Sequence, residues 1–426
     1  MFVVKLSCRA ATVIHARSIR EGMTATSPGP TLGVVGGGQL GRMLAEAAAP
    51  LGVDVVVLDP TPSCPASRVA EQIRGEFDDL EAARELAERA DALTLEIELA
   101  DPDVLETVRE EHGVPVHPDP STLRTIQDKL AQKRALADAR VAVPEFLAVD
   151  GVADLRDAVE ELGPVMSKAR EGGYDGRGNA PAHEPGDAAA ALDATGTPAM
   201  AEAFVDYERE LSVIGVVGDG ETATFPATET IHEDEILRET VVPARSSADV
   251  LERAQSVAAD ALDALEGRGV YGVELFETAE GEVLLNEIAP RPHNSGHWTV
   301  EGAHHSQFEQ HVRAVLGWPL GDAEARAPTV TANVLGDAAA ARPAELRNVE
   351  TVLSAPQTHL HWYGKAEVRP LRKMGHLTAT AGRDQSRADL LDATRRRRDA
   401  LSFAPPEATS ALGAETEAKS EAEPEP

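Results

Sequence analysis

Four apolar residues, Leu32 to Val35, run straight into Gly36-Gly37-Gly38-Gln39-Leu40-Gly41, after which Leu40, Met43, Leu44 and Ala47 recur at helical spacing. The alternation then repeats. Val53 to Leu58 is apolar and ends in Asp59-Pro60, and Ala92 to Glu98 is a further strand that ends in Glu96-Ile97-Glu98. Strands that alternate with helices imply a parallel sheet, which makes the first part of the chain α/β. From roughly Ser121 to Leu320 the sequence carries a glycine-rich loop and a clear hairpin, and a shorter, strand-rich stretch follows from about Ala327 to Phe403. A chain of 426 residues is long enough for two or three domains with sizeable cores.

Charge narrows the choice of partner. The formal net charge of −32 argues against nucleic acid, because binding a polyanion draws on clustered Lys and Arg. No apolar run approaches the ~20 residues that a membrane span needs. Cys8 and Cys64 match no metal or redox spacing and read as unpaired thiols of a reducing cytosol. Only 7 of the 40 basic residues are lysines. Few lysines among many carboxylates suit a cytoplasm at high salt, where screening makes self-repulsion tolerable, so a halophilic source is expected. Five of those lysines, Lys129, Lys133, Lys168, Lys365 and Lys373, fall inside the motifs below, which marks them as chosen for their chemistry.

The two ends differ from the rest. The first twenty residues hold Lys5, Arg9, Arg17 and Arg20 with no acidic residue, but no clean apolar core or cleavage site, so Met23 is read as the start and the preceding stretch as an extension. The tail from Ala404 carries six glutamates with Pro405 and Pro406 and almost no large apolar residue, the composition of a disordered segment.

Five motifs carry chemistry. Gly36-x-Gly38-x-x-Gly41 between strand and helix, with Asp59 about twenty residues on, fits the dinucleotide fingerprint. Any phosphorylated ligand suits glycines at a helix N-terminus equally well, and so does a purely structural turn. The second motif runs from Lys168 through Gly172-Gly173-Tyr174-Asp175-Gly176-Arg177-Gly178 to Asn179; so many glycines make a flexible loop whose backbone donors can close over phosphates, with Lys168 as a point charge beside them. The third is the hairpin formed by Val270 to Phe276 and Glu282 to Ile288 around Ala279-Glu280-Gly281. With Glu277 paired to Glu282, position 274 falls opposite 285, and period-two alternation places Glu274, Leu285 and Glu287 on one face. Two carboxylates in otherwise apolar strands, joined by Asn286, suit Mg²⁺, which takes oxygen ligands together with substrate phosphates.

The fourth motif, Arg291-Pro292-His293-Asn294-Ser295-Gly296-His297-Trp298, follows directly. His293 and His297 stand at a zinc spacing, but Gly296 and the Asn-Ser pair disfavour a helix and there is no H-E-x-x-H pattern, so gripping a phosphate or ribose is the better reading. The fifth is His359 to His376, where Lys365, Arg369, Arg372 and Lys373 put four cations within nine residues. In a chain this acidic, an anionic ligand is the economical reason for them.

Together these segments, with Asp128-Lys129 and Gln132-Lys133, resemble the 5-(carboxyamino)imidazole ribonucleotide synthetase family of the ATP-grasp superfamily over roughly Leu32 to Ala400. The resemblance implies an α/β and α+β chain of ATP-grasp architecture. It divides into an extension (1–29), a Rossmann-like domain (30–125), an ATP-grasp domain (126–322) with a lid near 143–205, a small strand-rich C-terminal domain (327–403) and the acidic tail (404–426). It implies that ATP contacts Lys129, Lys168, Gly173, Tyr174, Asp175, Gly176, Arg177, Gly178, Asn179, Glu202, Ala203, Phe204, Val205, Glu210, His232, Asn286 and Glu287. Mg²⁺ would lie on Glu274 and Glu287. The ribonucleotide would be held by Gly38, Gln39, Leu40, Tyr174, Asp175, Arg177, Arg291, His293, Asn294, Ser295, Lys365 and Arg372, with Glu96 or Glu98 nearby. Catalytic roles fall to Lys168, Asp175, Arg177 and Arg291, with Asp175 either taking the amine's proton or orienting the ribonucleotide.

The implied reaction is ATP-dependent carboxylation of aminoimidazole ribonucleotide with bicarbonate through carboxyphosphate, in purine biosynthesis. The implied setting is a cytoplasmic homodimer with a hand-off to the downstream mutase. One departure from the family pattern is Leu371, where a glycine is usual before the last arginine. The rival readings are another ATP-grasp ligase, such as the formate-dependent glycinamide ribonucleotide transformylase or a biotin carboxylase, an NAD-dependent oxidoreductase, and a non-catalytic nucleotide sensor.

Overall fold

The structure, a computed structural model, describes residues 26–172, 178–337 and 340–404. Residues 1–25 of the expected extension, Gly173, Tyr174, Asp175, Gly176 and Arg177 of the glycine-rich loop, and 405–426 of the tail lie outside the described residues.

The first sheet is parallel, as the alternation requires, in the order Glu71–Ile73, Asp54–Leu58, Thr31–Val35, Ala92–Leu95. Helices cover it, so the strands read as near-continuous apolar runs, with Val34, Val57 and Leu93 wholly buried. Aspartates start the helices: Asp79 caps Leu80–Arg89 and Asp101 caps Pro102–His112, each accepting two backbone N–H groups. Thr31–Val35 is central, and the chain adds strands to its two sides in turn. The segments leaving Val35 and Leu95 therefore diverge and open a crevice beyond the strand ends, the usual place for a ligand in such a sheet.

A second, antiparallel sheet has the order Phe146–Val149, Ala199–Ala203, Val165–Ala169, Asn179–Ala182. It is backed by the helices Val152–Leu162 and Ala188–Thr195 and has its own small core, in which Val149, Leu155, Val165 and Leu192 are buried with many alanines.

The third sheet is the largest, with nine strands, one of which, Thr222–Thr224, pairs with Tyr207–Val217 off the main path. Its path runs Val283–Ala289, Gly269–Thr278, Tyr207–Val217, Thr228–Glu233, Ile236–Val242, Thr329–Leu335, Lys373–Thr380, Thr358–Trp362. The strand-rich C-terminal stretch thus continues the central sheet, through the antiparallel pairing of Glu239 with Ala332 and its neighbours. Glu239 would be an unpaired charge there, but Arg395 (3.1 Å) and Arg398 from the helix Arg387–Asp399 neutralise it.

The helix Gln307–Val315 locks the first sheet onto the third. Phe308, Val312 and Val315 share an apolar cluster with Leu32, Val34 and Leu44. Burial lowers the pKa of His311 to about 3, so the ring is neutral. Its Nδ1 accepts from the Val270 N–H (3.0 Å), and its Nε2 lies 2.8 Å from Thr94 Oγ1. Among the described residues no helix is long and apolar enough to cross a membrane.

Candidate active site

The hairpin carries the first half of the site. Its turn is Ala279-Glu280-Gly281, as expected, but the register differs by one: Glu277 pairs with Val283 rather than Glu282, because Thr278 and Glu282 close the loop instead (Thr278 N–H to Glu282 O, 3.0 Å). A bulge then intervenes between Glu274 and Leu275, with Asn286 as the extra residue, so that Glu274 stands directly across from Glu287. Asn286 and Glu287 are consecutive, yet both reach charged groups: Asn286 Oδ1 accepts from Lys168 Nζ at 3.1 Å, and Glu287 Oε1 from Lys129 Nζ at 2.7 Å.

The two carboxylates are electrostatically unequal. Burial works against the charge on Glu287, but Lys129 outweighs it and lowers the pKa. Burial and the neighbouring Glu287 both raise Glu274. The nearest basic side chain to Glu274 is His293, with Nε2 at 3.5 Å, and burial first and Arg291 second hold that ring well below the usual histidine range and therefore neutral. A close carboxylate pair with one permanent cation between two charges fits a divalent ion. No cluster of three or more metal-ligating side chains occurs among the described residues, so an ion held by this pair would draw its other ligands from phosphate oxygens and water.

Lysines approach from the other side of the cleft. Asp128 caps the helix Lys129–Asp138 and is gripped by Arg170, while the Lys129 N–H donates to Arg170 O (2.9 Å), which docks the helix on the small sheet. Lys168 Nζ donates to Glu202, which is 3% exposed and also takes Lys133 Nζ at 2.7 Å. Burial opposes the charge on Glu202, but the two lysines win and lower its pKa. His232 Nδ1 is paired with Glu210 on the neighbouring strand; burial opposes the charge, and the carboxylate overcomes it to raise the pKa. Asn179, opposite Lys168 in register, keeps a buried Oδ1 with no hydrogen-bond partner. Phe204 is exposed just past the end of the interior strand Ala199–Ala203 and stacks on His183, with Ala203 and Val205 on either side.

The glycine turn closes the crevice, though not as a dinucleotide site. Gly37 N–H donates to Asp59 Oδ2 (2.8 Å), while Gly38 N–H and Gly41 N–H (2.9 Å) donate to the two oxygens of Glu96. The donors that the fingerprint would offer a pyrophosphate are thus filled by the chain's own carboxylates. A Cβ on Gly38 would lie 2.7 Å from Glu96 Oε1, which is why glycine is needed there. Burial raises Glu96 to about 7, against the pull of the Gly41 and Gly38 donors. Leu40 is packed in the core, so its side chain is not free to bind.

Gln39 faces the fourth motif. Its Nε2 donates to Asn294 Oδ1 (3.3 Å) and lies 2.6 Å from His297 Nε2. Arg291 Nη2 meets Glu98 at 2.7 Å. The loop is pinned to the sheet: His293 N–H donates to Gln307 Oε1 (2.9 Å), Gln307 Nε2 donates to His293 O (2.7 Å), and Ser295 Oγ lies 2.6 Å from Ser212 Oγ. Asn294–Gly296 forms a single 3₁₀ turn rather than an α-helix, as its glycine and Asn-Ser pair suggested. His297 is buried, neutral and stacked on His376, which in turn stacks on His361. Tyr363 Oη lies 2.7 Å from His376 Nδ1, and Lys365 Nζ sits 5.4 Å over the Tyr363 ring.

The structure therefore brings together Gly38, Gln39, Glu96, Glu98, Arg291, His293, Asn294 and Ser295 in one crevice, and Lys129, Lys168, Glu202, Asn286, Glu274 and Glu287 in the adjoining cleft. Arg372 is the exception, since its guanidinium donates to Glu367 O (2.8 Å) within its own turn. The Leu371 departure has a visible cost: it holds a left-handed φ of 59° while 41% exposed. Sequence reasoning missed Gln307, whose clamp on His293 no local pattern announces. It also missed Arg42 and Arg68, which converge on Gly364 so closely that a Cβ there would meet them at 3.4 and 3.2 Å.

Comparison with known proteins agrees with this fold. Three family signatures match in order: a ribonucleotide synthetase preATP-grasp domain over 30–127, an ATP-grasp domain over 134–308, and a phosphoribosylaminoimidazole carboxylase C-terminal domain over 329–389. The phosphoribosylaminoimidazole carboxylase of Schizosaccharomyces pombe is 41% identical over 359 residues; the match covers 82% of this chain and 64% of that protein, so the chain spans less than two thirds of its length. The N5-carboxyaminoimidazole ribonucleotide synthase of Brucella melitensis is 39% identical over 361 residues, covering 83% of this chain and 97% of the relative. Among solved structures, the N5-carboxyaminoimidazole synthase of Aspergillus clavatus in complex with ADP and 5-aminoimidazole ribonucleotide has a TM-score of 0.81 at 36% identity, covering 88% of this chain and 99% of that one.

Proposed function

The chain belongs to the N5-carboxyaminoimidazole ribonucleotide synthase family of ATP-grasp proteins, and from that premise we propose that it carboxylates the exocyclic amine of 5-aminoimidazole ribonucleotide, using ATP and bicarbonate. The observation that carries the reading is the segment from Asn286 to Ser295. Glu287 at one end faces Glu274 and Lys129, and Arg291, four residues on, is held by Glu98 beside the glycine turn. Phosphate transfer and amine capture thus share one stretch of backbone.

In this reading Glu274 and Glu287 hold Mg²⁺, which when bound neutralises charge on the ATP phosphates. Lys168 and Lys129 place their ammonium groups beside the same phosphates, with Asn179 next to Lys168. Bicarbonate oxygen attacks the γ-phosphorus and ADP leaves, giving carboxyphosphate, which splits into CO₂ and phosphate. The amine nitrogen attacks CO₂ and loses a proton. Arg291, His293, Asn294 and Ser295 orient the ribonucleotide, with Gln39, Glu96 and Glu98 opposite and Lys365 for its phosphate, while Tyr174, Asp175 and Arg177, outside the described residues, are assigned to it by the family resemblance alone. Closure of the small four-stranded unit as a lid keeps water from the intermediate. The setting is a cytoplasmic homodimer adapted to high salt that passes its product to a mutase. As a test, Glu287→Gln is expected to abolish ATP turnover with the fold intact; near-normal turnover would reject the metal assignment.

A further inference from the structure

The strand Val283–Ala289 lies at the edge of the large sheet, so one row of its backbone groups has no neighbouring strand. Side chains of the helix Lys129–Asp138 fill that row. Gln132 and Lys133, with Lys129 one turn before, share a helix face. The Ile288 N–H donates to Gln132 Oε1 (3.3 Å), and Gln132 Nε2 donates to Ile288 O (3.3 Å). Lys133 Nζ donates to Leu285 O (3.0 Å) and Asn286 O (2.7 Å). These two carbonyls flank the bulge that turns Asn286 and Glu287 together toward the cleft.

The same ammonium makes a 2.7 Å ion pair with Glu202 Oε2, and the contacts form a closed ring. Lys133 holds the Asn286 carbonyl, Asn286 Oδ1 takes Lys168, Lys168 takes Glu202, and Glu202 returns to Lys133. The ring joins three parts of the fold: the helix, the large sheet, and the small sheet that carries Lys168 and Glu202. Lys133 is 2% exposed and its three oxygen partners all belong to the protein. A buried ammonium carries a large desolvation cost, so its retention in a chain with few lysines calls for a function that packing alone would not need.

We propose that Lys133 is a positioning residue of the phosphate-transfer site: without touching a ligand, it fixes the Asn286–Glu287 bulge in register and ties it to Glu202, so that the metal carboxylate and Lys168 meet ATP together. This rests on the reading of Glu274 and Glu287 as the Mg²⁺ ligands. Groups of this kind, acting one step behind the ligands, typically alter metal affinity or activity by about 10- to 100-fold when replaced.

The test is Lys133→Met, assayed in the full chain for ribonucleotide-dependent phosphate release while Mg²⁺, ATP and ribonucleotide are varied in turn, with the melting temperature measured alongside. The expected result is a half-saturating Mg²⁺ concentration and an ATP KM raised about tenfold or more, with the ribonucleotide KM unchanged. A general structural role would not move these parameters selectively. Unchanged Mg²⁺ and ATP dependence, or a loss that tracks thermal stability alone, overturns the proposal. Should the methionine variant not fold, Lys133→Arg carries the test: it keeps the charge but cannot seat one compact head among Glu202 and both carbonyls, so the same Mg²⁺ shift is expected and its absence is fatal. A Glu287→Gln control separates the premise from the proposal, since wild-type turnover in that variant refutes the metal reading itself, whatever Lys133 does.

Discussion

Replacing Gly272 by alanine should damage ribonucleotide binding selectively, through a contact set by the packing of one loop on the sheet. Gly272 lies inside the strand Gly269–Thr278, between Ala289 and Ile214. A Cβ there would fall 2.5 Å from His293 Cβ and 2.7 Å from its Cγ. Ordinary carbon contacts need about 3.5 Å, so His293 must retreat by about 1 Å. It has little freedom to do so alone, because Gln307 holds both its N–H and its carbonyl. The shift therefore passes to Arg291, Asn294 and Ser295. A misplacement of about 1 Å at a reacting centre costs on the order of 100-fold in rate, and overpacking of this kind costs about 1–3 kcal/mol of stability. The assay is phosphate release with the ribonucleotide varied at saturating ATP and bicarbonate, alongside a urea melt. The expected result is a ribonucleotide kcat/KM lower by about two orders of magnitude, with the ATP KM little changed because Lys168, Glu202 and Asn286 lie outside the displaced loop. A ribonucleotide kcat/KM within about twofold of wild type in a folded variant would refute the placement of the acceptor on this loop.

Two further outcomes follow from charge. Burial lifts Glu96 from the ordinary 4.5 to about 7 in the folded chain, so folding takes up a proton between those values, and the stability this group contributes at low pH is lost as pH rises through about 7. Glu96→Gln removes that term, so the stability of wild type relative to the variant should fall by roughly 3 kcal/mol across the window, read from urea midpoints; a constant difference would refute the burial argument. With a net charge of −32, the melting temperature is expected to climb steeply with KCl, and full stability at low ionic strength would rule out adaptation to salt.

Much of this arrangement was legible in residue order. Apolar runs punctuated by glycine and aspartate located the parallel sheet, and two glutamates in apolar strands pointed to the facing carboxylate pair. Neither the loop closure at Thr278 and Glu282, which slips the predicted pairing by one, nor the bulge at Asn286, which adds a second step and sets Glu274 across from Glu287 instead of Leu285, was legible, because period-two alternation cannot register an extra residue. The glycine turn was recognisable as an anion site, but only the fold reveals that Glu96 and Asp59 fill it. Lysine scarcity singled out Lys133 without giving its role, since two of its three partners are backbone carbonyls about 150 residues away and backbone has no sequence signature. The continuity of the large sheet into the C-terminal stretch was hidden for the same reason: it depends on which strand edge lies next to Ile236–Val242.

The most direct test of the account is phosphate release from ATP and bicarbonate by the full chain, measured with no acceptor and then with aminoimidazole ribonucleotide, glycinamide ribonucleotide or biotin. Stimulation by aminoimidazole ribonucleotide alone is predicted. Release that is indifferent to it, while glycinamide ribonucleotide or biotin stimulates, would contradict the assignment of the acceptor site.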